Sequence, residues 1–447
     1  MRRVLLPILL LCALSARAQL TENVPTRLDS TQTYTLFLPP HYDTAKKYPL
    51  LLVFDPRSRG TTSAEFFRPA AEEYGWIILS SNGTRSDEGS EGNQAALRAL
   101  VPEVKRYAVD PERIYAAGFS GTAMLAWALG VQTGGLAGVI ASGGRLIDEL
   151  PPAKFPFASY GFSGDTDFNN RDMRAIDALL ERAGKPHRFV QFKGEHRWMP
   201  PELVPDAFGW FELMAMKDKK RMRDDALIAK LYTRDLASAA HDVNALRAVA
   251  RTYDGLRDVA EVRAEIARLE ADPESRRAVE EQAKWDRFEE QFTKDVFGKI
   301  GAIYSELRQS ELRPTPGDIT RGFRIAELKR RATREGEEGL AARRLLESVY
   351  SQLASYLPRE LMKRKEYPLA VITLAAATEI HPDRWSVWYN LGAAQARSGD
   401  TRHALDSLEK SISLGFKNLQ HIESDEDYAA VRNSDRYRKL ILALRSQ

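Results

Sequence analysis

Cysteine is nearly absent from this chain, with one residue, Cys12, among 447. A disulfide within the chain needs two, and a structural zinc site of the thiolate kind needs more, so both are excluded. Histidine is scarce as well. None of the seven pairs with another at the spacing of a helical metal motif. Asp425 and Asp427 match a calcium loop only loosely, without its glycine or its closing glutamate. No phosphate-cradling glycine loop of the Walker type occurs. Neither metal nor organic cofactor is therefore expected. Charge of one sign is also lacking. The formal charge of +3 falls to zero once Arg2, Arg3 and Arg17 are set aside, which leaves no field to draw nucleic acid.

Those three arginines belong to a segment that reads as a leader. Arg2 and Arg3 precede an apolar run over 4–14, and Ala16-Arg17-Ala18 supplies the small residues before a cleavage point. That layout is a secretory signal peptide. The run is too short for an ordinary membrane span. A secreted or periplasmic protein is expected, with no transmembrane span in the mature chain. Cys12 would leave with the leader. Export without disulfides fits a bacterial envelope.

What is present is ordinary globular protein, 43% apolar and 28% charged. Short apolar runs over 34–38, 50–54, 76–80, 113–118, 137–141, 157–162 and 188–192 are bounded by Gly, Pro, Asn or Asp and predict strands. Between several of them lie helical stretches over 63–73, 92–107, 121–130 and 172–183. Alternation of this kind predicts an α/β fold with a parallel sheet covered on both faces. The first two runs suggest an antiparallel hairpin at one edge, and 19–30 reads as polar and turn-like. Near Lys217 the composition shifts to long charged helical patterns, broken around Pro314, Pro316 and Gly317.

The chemistry concentrates in Gly118-Phe119-Ser120-Gly121-Thr122, between a predicted strand and a predicted helix. A serine on a sharp strand-to-helix turn has its hydroxyl pushed out above the sheet, and the turn needs small neighbours. Thr122 departs from the usual glycine and is expected to hold the helix slightly farther off. The Gly121 amide and the positive helix end would stabilise an oxyanion. A nucleophilic serine needs a base. His41 and His187 lie at an edge turn and a strand entry. His196, in Gly194-Glu195-His196-Arg197-Trp198, follows the last strand and is the expected base. The orienting acid should follow the preceding strand, in Gly164-Asp165-Thr166-Asp167-Phe168-Asn169. Asp167 is preferred there and Asp165 stays open. The order Ser, Asp, His suits this type of sheet. The second oxyanion donor should come from the loop after the second run. Pro56 has no amide hydrogen, which leaves Arg57. Phe119 and Trp198, beside the nucleophile and the base, are expected at the substrate pocket. Trp76, Trp127 and Trp210 read as packing residues.

On these segments, together with 34–40, Tyr48-Pro49-Leu50 and His196-Arg197-Trp198-Met199-Pro200, residues 34–216 resemble the minimal bacterial esterases of the α/β-hydrolase superfamily. The dienelactone hydrolase, phospholipase/carboxylesterase and polyhydroxybutyrate depolymerase/feruloyl esterase groups all fit. Asp55-Pro56 departs from the His-Gly that many of them carry. The resemblance implies hydrolysis of a small-molecule or accessible polymer ester through an acyl-serine intermediate, without cofactor. Peptidase or acyltransferase chemistry on the same triad stays open, as does a silent scaffold.

Farther on, Trp388, Leu391, Gly392, Gly399 and Ala404 stand at the spacing of a tetratricopeptide repeat. Ala370, Leu374, Ala377 and Pro382 echo it 34 residues earlier. The expected organisation is thus a leader over 1–18, a hydrolase domain over 19–216, a helical region over 217–357 and tetratricopeptide-like repeats over 358–447. Those repeats would bind a protein partner in the envelope.

Overall fold

A computed structural model describes residues 19–86, 90–145, 151, 154–240, 242–309 and 315–445. The expected leader and Pro314 lie outside these residues. The described chain forms two compact units, one ending at Ser275 and the other comprising Arg276–Gln447.

The first unit is built on one eight-stranded sheet. Its strands are β1 (Gln19–Pro25), β2 (Thr33–Leu38), β3 (Tyr48–Phe54), β4 (Ile77–Ser81), β5 (Val109–Phe119), β6 (Gly138–Ser142), β7 (Ala158–Gly164) and β8 (His187–Phe192), in the order β1-β2-β4-β3-β5-β6-β7-β8. From β4 through β8 all neighbours are parallel, and β2 is antiparallel to both β1 and β4. This order, with its reversed second strand, is the sheet of an α/β-hydrolase fold.

Two expectations are corrected here. β2 and β3 do not form a hairpin. β3 lies between β4 and β5 because it is apolar on both faces: Leu50, Leu52 and Phe54 enter one core cluster, and Leu51 and Val53 the other. Such a strand leaves the least apolar area exposed at the centre of a sheet. The polar segment 19–30 is not all turn, since its first part is β1. Thr21 and Val24 flank a register shift there, and this irregularity hid the strand's alternation.

Helices cover both faces. The helices α1 (Gly60–Tyr74), α2 (Ser90–Leu100), α3 (Gly121–Thr133), α4 (Asn170–Arg182) and α5 (Val204–Lys217) separate or follow the strands. Ala64, Phe67 and Ala71 of α1 pack with Phe208 and Phe211 of α5 on one face. Ala123 and Trp127 of α3 pack with Met173 and Ile176 of α4 on the other. Each such buried Leu, Phe or Met stabilises the fold by about 1.5–3 kcal/mol relative to exposure.

The composition change near Lys217 falls inside the first unit, not at its end. Helices α6 (Asp225–Ser238), α7 (Val243–Tyr253) and α8 (Ala260–Ala271) follow it. Leu213 and Met216 of α5 join Ile228, Leu231, Val249 and Tyr253 in one apolar cluster. Polar anchors reinforce it. Trp210 donates from Nε1 to the Thr252 hydroxyl at 3.1 Å. Buried Asp235 accepts from Arg188 of β8 at 2.5 Å and from the Tyr253 hydroxyl at 3.0 Å. Charge content alone could not show that these helices seal the face that α5 leaves open.

The second unit is helical. Its core joins Phe292, Tyr304, Leu328, Leu345, Val349 and Leu374. Glu289 and Arg344 form a buried ion pair within it, with Arg344 Nε 3.0 Å from Glu289 Oε1. Toward the chain end, helices Tyr367–Thr378, Trp385–Arg397 and Thr401–Ser413 succeed one another across short turns. A Cβ on Gly392 would stand 3.0 Å from the carbonyl oxygen of Ala404, so the small residue lets the last two helices approach closely.

Replacing Asp235 by Ala leaves the buried Arg188 guanidinium without its partner. Loss of one member of a buried pair costs about 3–5 kcal/mol. We expect a loss of that size in urea unfolding followed by tryptophan fluorescence. A change below about 1 kcal/mol would show that Asp235 does not anchor α6 to the sheet.

Candidate active site

The sheet directs its loops to one end. β5 runs out of the centre of the sheet and stops at Phe119, and α3 starts at Gly121. Ser120 between them has φ 57° and ψ −127°. A non-glycine residue in that region stores strain of order 1–3 kcal/mol, which the surrounding structure must offset. The offset is visible locally. The Ser120 amide donates to the Ser142 carbonyl at 2.9 Å. A Cβ on Gly118 would lie 2.1 Å from the Thr122 carbonyl oxygen, so only glycine lets the helix fold back this tightly. Thr122 itself is buried. Its hydroxyl lies 2.6 Å from the Phe54 carbonyl oxygen and accepts the Phe119 amide at 3.1 Å. The threonine therefore fastens the turn to β3.

Ser120 Oγ stands 2.9 Å from His196 Nε2. His196 Nδ1 stands 2.9 Å from Asp167 Oδ1. A carboxylate only accepts, so the imidazole donates from Nδ1 and keeps Nε2 free to accept from the serine. Asp167 is fully buried and also accepts the Asn169 amide at 2.8 Å. Its Oδ2 has no hydrogen-bond partner among the described residues. Of the two acids, Asp167 is the one that meets the His196 ring. Asp165 instead accepts the Gly194 amide at 3.0 Å, and Thr166 donates its hydroxyl to the Gly194 carbonyl at 2.8 Å. Both brace the loop that carries His196. His187 sits at the opposite end of β8, its Nδ1 2.7 Å from the Lys185 carbonyl oxygen.

Aromatic rings enclose the imidazole. Phe119 lies 4.6 Å and Phe168 4.2 Å from it, centre to centre. Trp198 packs 5.7 Å from Phe119 and 5.5 Å from Phe67. All but Phe67 are partly exposed. Phe119 and Trp198 are thus brought together beside the Ser120–His196 pair. Phe168 carried no role in the sequence, although it directly follows the acid.

The Gly121 amide opens α3 and has no carbonyl of a preceding turn to donate to. The expected second donor is corrected. The Arg57 amide is committed to Asp55 Oδ1 at 2.8 Å, and the amides of Ser58 and Arg59 are engaged by the Thr84 carbonyl and by Asp55. Asp55 is the reason. This carboxylate is buried behind the loop and turns the local amides inward. The Arg59 guanidinium and the Ser63 hydroxyl also donate to it, and Trp198 Nε1 reaches it at 3.4 Å. Burial pushes its pKa up, but the Arg59 guanidinium and the Arg57 amide outweigh that and hold it below the ordinary carboxylate value. The side chain nearest the open side of Gly121 is Ser86, whose hydroxyl lies 2.7 Å from where a Cβ would stand.

Gly143, just after β6, is a further site residue that sequence reasoning missed. It has φ 52°, and a Cβ there would stand 2.6 Å from Asp167 Oδ2 and 3.1 Å from His196 Nδ1. A Gly-Gly pair one residue past a predicted strand was the available signal. The described residues contain no group of three or more metal-ligating side chains placed to hold an ion.

No protein-family model matches the chain, and no curated protein matches it. Solved structures do. One is a ferulic acid esterase at 18% identity and a TM-score of 0.38, spanning 44% of this chain and 98% of the other. Another is apo S-formylglutathione hydrolase from Staphylococcus aureus, at 15% and 0.37, spanning 46% and 99%. A third is a hyperthermophilic esterase from the archaeon Pyrobaculum calidifontis, at 13% and 0.36, spanning 44% and 86%. The strand order described above carries the fold assignment by itself.

Gly143→Ala is expected to break the Asp167–His196 hydrogen bond. The measurement is the far-downfield proton resonance of His196 Nδ1–H, which should vanish in the variant; its survival would mean that the neighbours yield to the methyl group. Asp55 generates a pH-dependent expectation. Its depressed pKa contributes stability in full above the unfolded value of about 3.9, and that contribution is lost as pH falls through the lower folded value. Asp55→Asn should lower stability at pH 7 and flatten the acid limb below about pH 4. An unchanged acid limb in pH-dependent thermal unfolding would count against it.

Proposed function

We propose that this chain is a serine hydrolase that cleaves carboxylic esters through an acyl-serine intermediate, exported by its leader to the periplasm or beyond. One observation carries the reading: the unbroken hydrogen-bonded line from the Ser120 hydroxyl through His196 to buried Asp167, at the carboxyl edge of a parallel sheet. Ser120 Oγ attacks the acyl carbonyl carbon and its proton passes to His196 Nε2. Asp167 holds the ring and stabilises the imidazolium without taking the proton. The developing oxyanion is met by the Gly121 amide at the positive end of α3. The bond from the carbonyl carbon to the leaving oxygen then breaks, and His196 returns the proton to the departing alcohol. Water, deprotonated by the same imidazole, attacks the acyl carbon; the bond to Ser120 Oγ breaks, His196 returns the proton to that oxygen, and the acid leaves.

The rings of Phe119, Phe168 and Trp198 support an acyl or alcohol group with an apolar face. Small or accessible esters fit the reading, and the same triad also suits amide cleavage or transfer to another alcohol.

Turnover of nitrophenyl acetate and labelling by a fluorophosphonate should both disappear in Ser120→Ala. Asp167→Asn should lower kcat by about 10³–10⁴-fold. Ester turnover by the native chain that persists in Ser120→Ala would remove this reading. Faster cleavage of matched anilides than of esters would move it to a peptidase.

A further inference from the structure

We propose that the first unit carries a second binding site, for a single-chain carboxylate amphiphile, at the end of the sheet opposite Ser120. A cavity of about 540 Å³ opens there, where β3 and β5 begin. Its walls include Val104, Val109, Ile114, Leu129 and Leu136. Ile114 enters the parallel pairing with β3 six residues before Ser120, which at about 3.3 Å per residue puts the two roughly 20 Å apart. None of the Ser120, His196 or Asp167 side chains lines the cavity.

The wall chemistry selects the ligand. A concave apolar space of this size with a few polar groups at its margin is the usual form of a small-molecule site. Here Lys47 and Lys105 line it, both exposed and neither in an ion pair among the described residues. No aspartate or glutamate lines it. The site is therefore apolar within and doubly cationic at the edge. A hydrocarbon tail matches the interior, and a single anionic head matches the two ammonium groups. A cationic head on the same tail would be repelled, and a polyol would find only the Tyr107 and Thr133 hydroxyls, both already hydrogen-bonded within the protein. The lysine stems can lie along the apolar wall while their charges stay in water, which keeps both within reach of a headgroup. The occupant is a free fatty carboxylate and not the headgroup of a bilayer lipid. The site is separate from the triad, so its test is independent of the hydrolase reading.

Calorimetric titration of the full chain with decanoate should give one saturable site. Affinity should rise about fourfold per methylene from octanoate to decanoate. The double variant Lys47→Gln, Lys105→Gln alters only exposed side chains and should weaken binding about tenfold, as loss of two charge-assisted contacts would. Val104→Trp should fill the cavity and abolish binding. Protein whose Ser120 has been blocked with a phosphonate should bind decanoate as before. The proposal is overturned by any of four results. These are no saturable binding, equal binding of decyltrimethylammonium, loss of decanoate binding when Ser120 is blocked, and binding unchanged in both variants. Retention on phosphatidylglycerol vesicles without decanoate binding would equally overturn it, in favour of a membrane surface.

Discussion

The site begins with a serine held at positive φ between the central strand and a helix. That conformation is costly for a side-chain-bearing residue, and it persists only because its surroundings permit no other. Gly118 lacks the Cβ that would strike the Thr122 carbonyl, and the Thr122 hydroxyl fastens the turn to Phe54 of β3. Both flanking strands are buried on both faces. The strain is thus set against a rigid core, and the Ser120 hydroxyl has a fixed address above the edge of the sheet.

The other loops at that edge converge on this point. Glycines recur where backbone must pass close to backbone or to the triad: Gly143 against Asp167 and His196, and Gly164, whose Cβ would lie 2.1 Å from the Gly194 carbonyl oxygen. Asp165 and Thr166 fasten the loop after β7 to the loop after β8, so the loops that carry Asp167 and His196 are braced against each other. Asp55 works from the other side. It turns the amides of its own loop inward and receives the Trp198 indole, which links the loop after β3 to the histidine loop. That arrangement accounts for the departure at Asp55-Pro56. The residues that would have been an anion-binding loop are organised around a buried carboxylate.

Burial of charge follows one pattern in both units. Glu212 accepts the Trp76 indole at 2.6 Å and also meets Arg113 and Arg221. Asp235 meets Arg188, and Glu289 meets Arg344. Each of these three acids has at least one arginine, the residue whose planar donors best satisfy a carboxylate away from water, whereas buried Asp167 is met by His196 instead. These pairs link segments far apart in the chain, and removing one partner would leave a buried charge uncompensated.

The sequence by itself determined the α/β class, most strand positions, the nucleophile turn and the histidine loop. These follow from local rules: β-branched and aromatic runs between turn residues, and a small-residue strand-to-helix junction. It also narrowed the acid to two residues two apart. Only the tertiary structure decided between them, because the choice depends on which carboxylate the loop aims at the ring and which it spends on bracing Gly194. The neighbours of β2 and β3, the reach of the first unit to Ser275, the withdrawal of the Arg57 amide and the need for Gly143 were likewise decided there. Each rests on contacts between residues far apart in the chain, which no local pattern of side chains can encode.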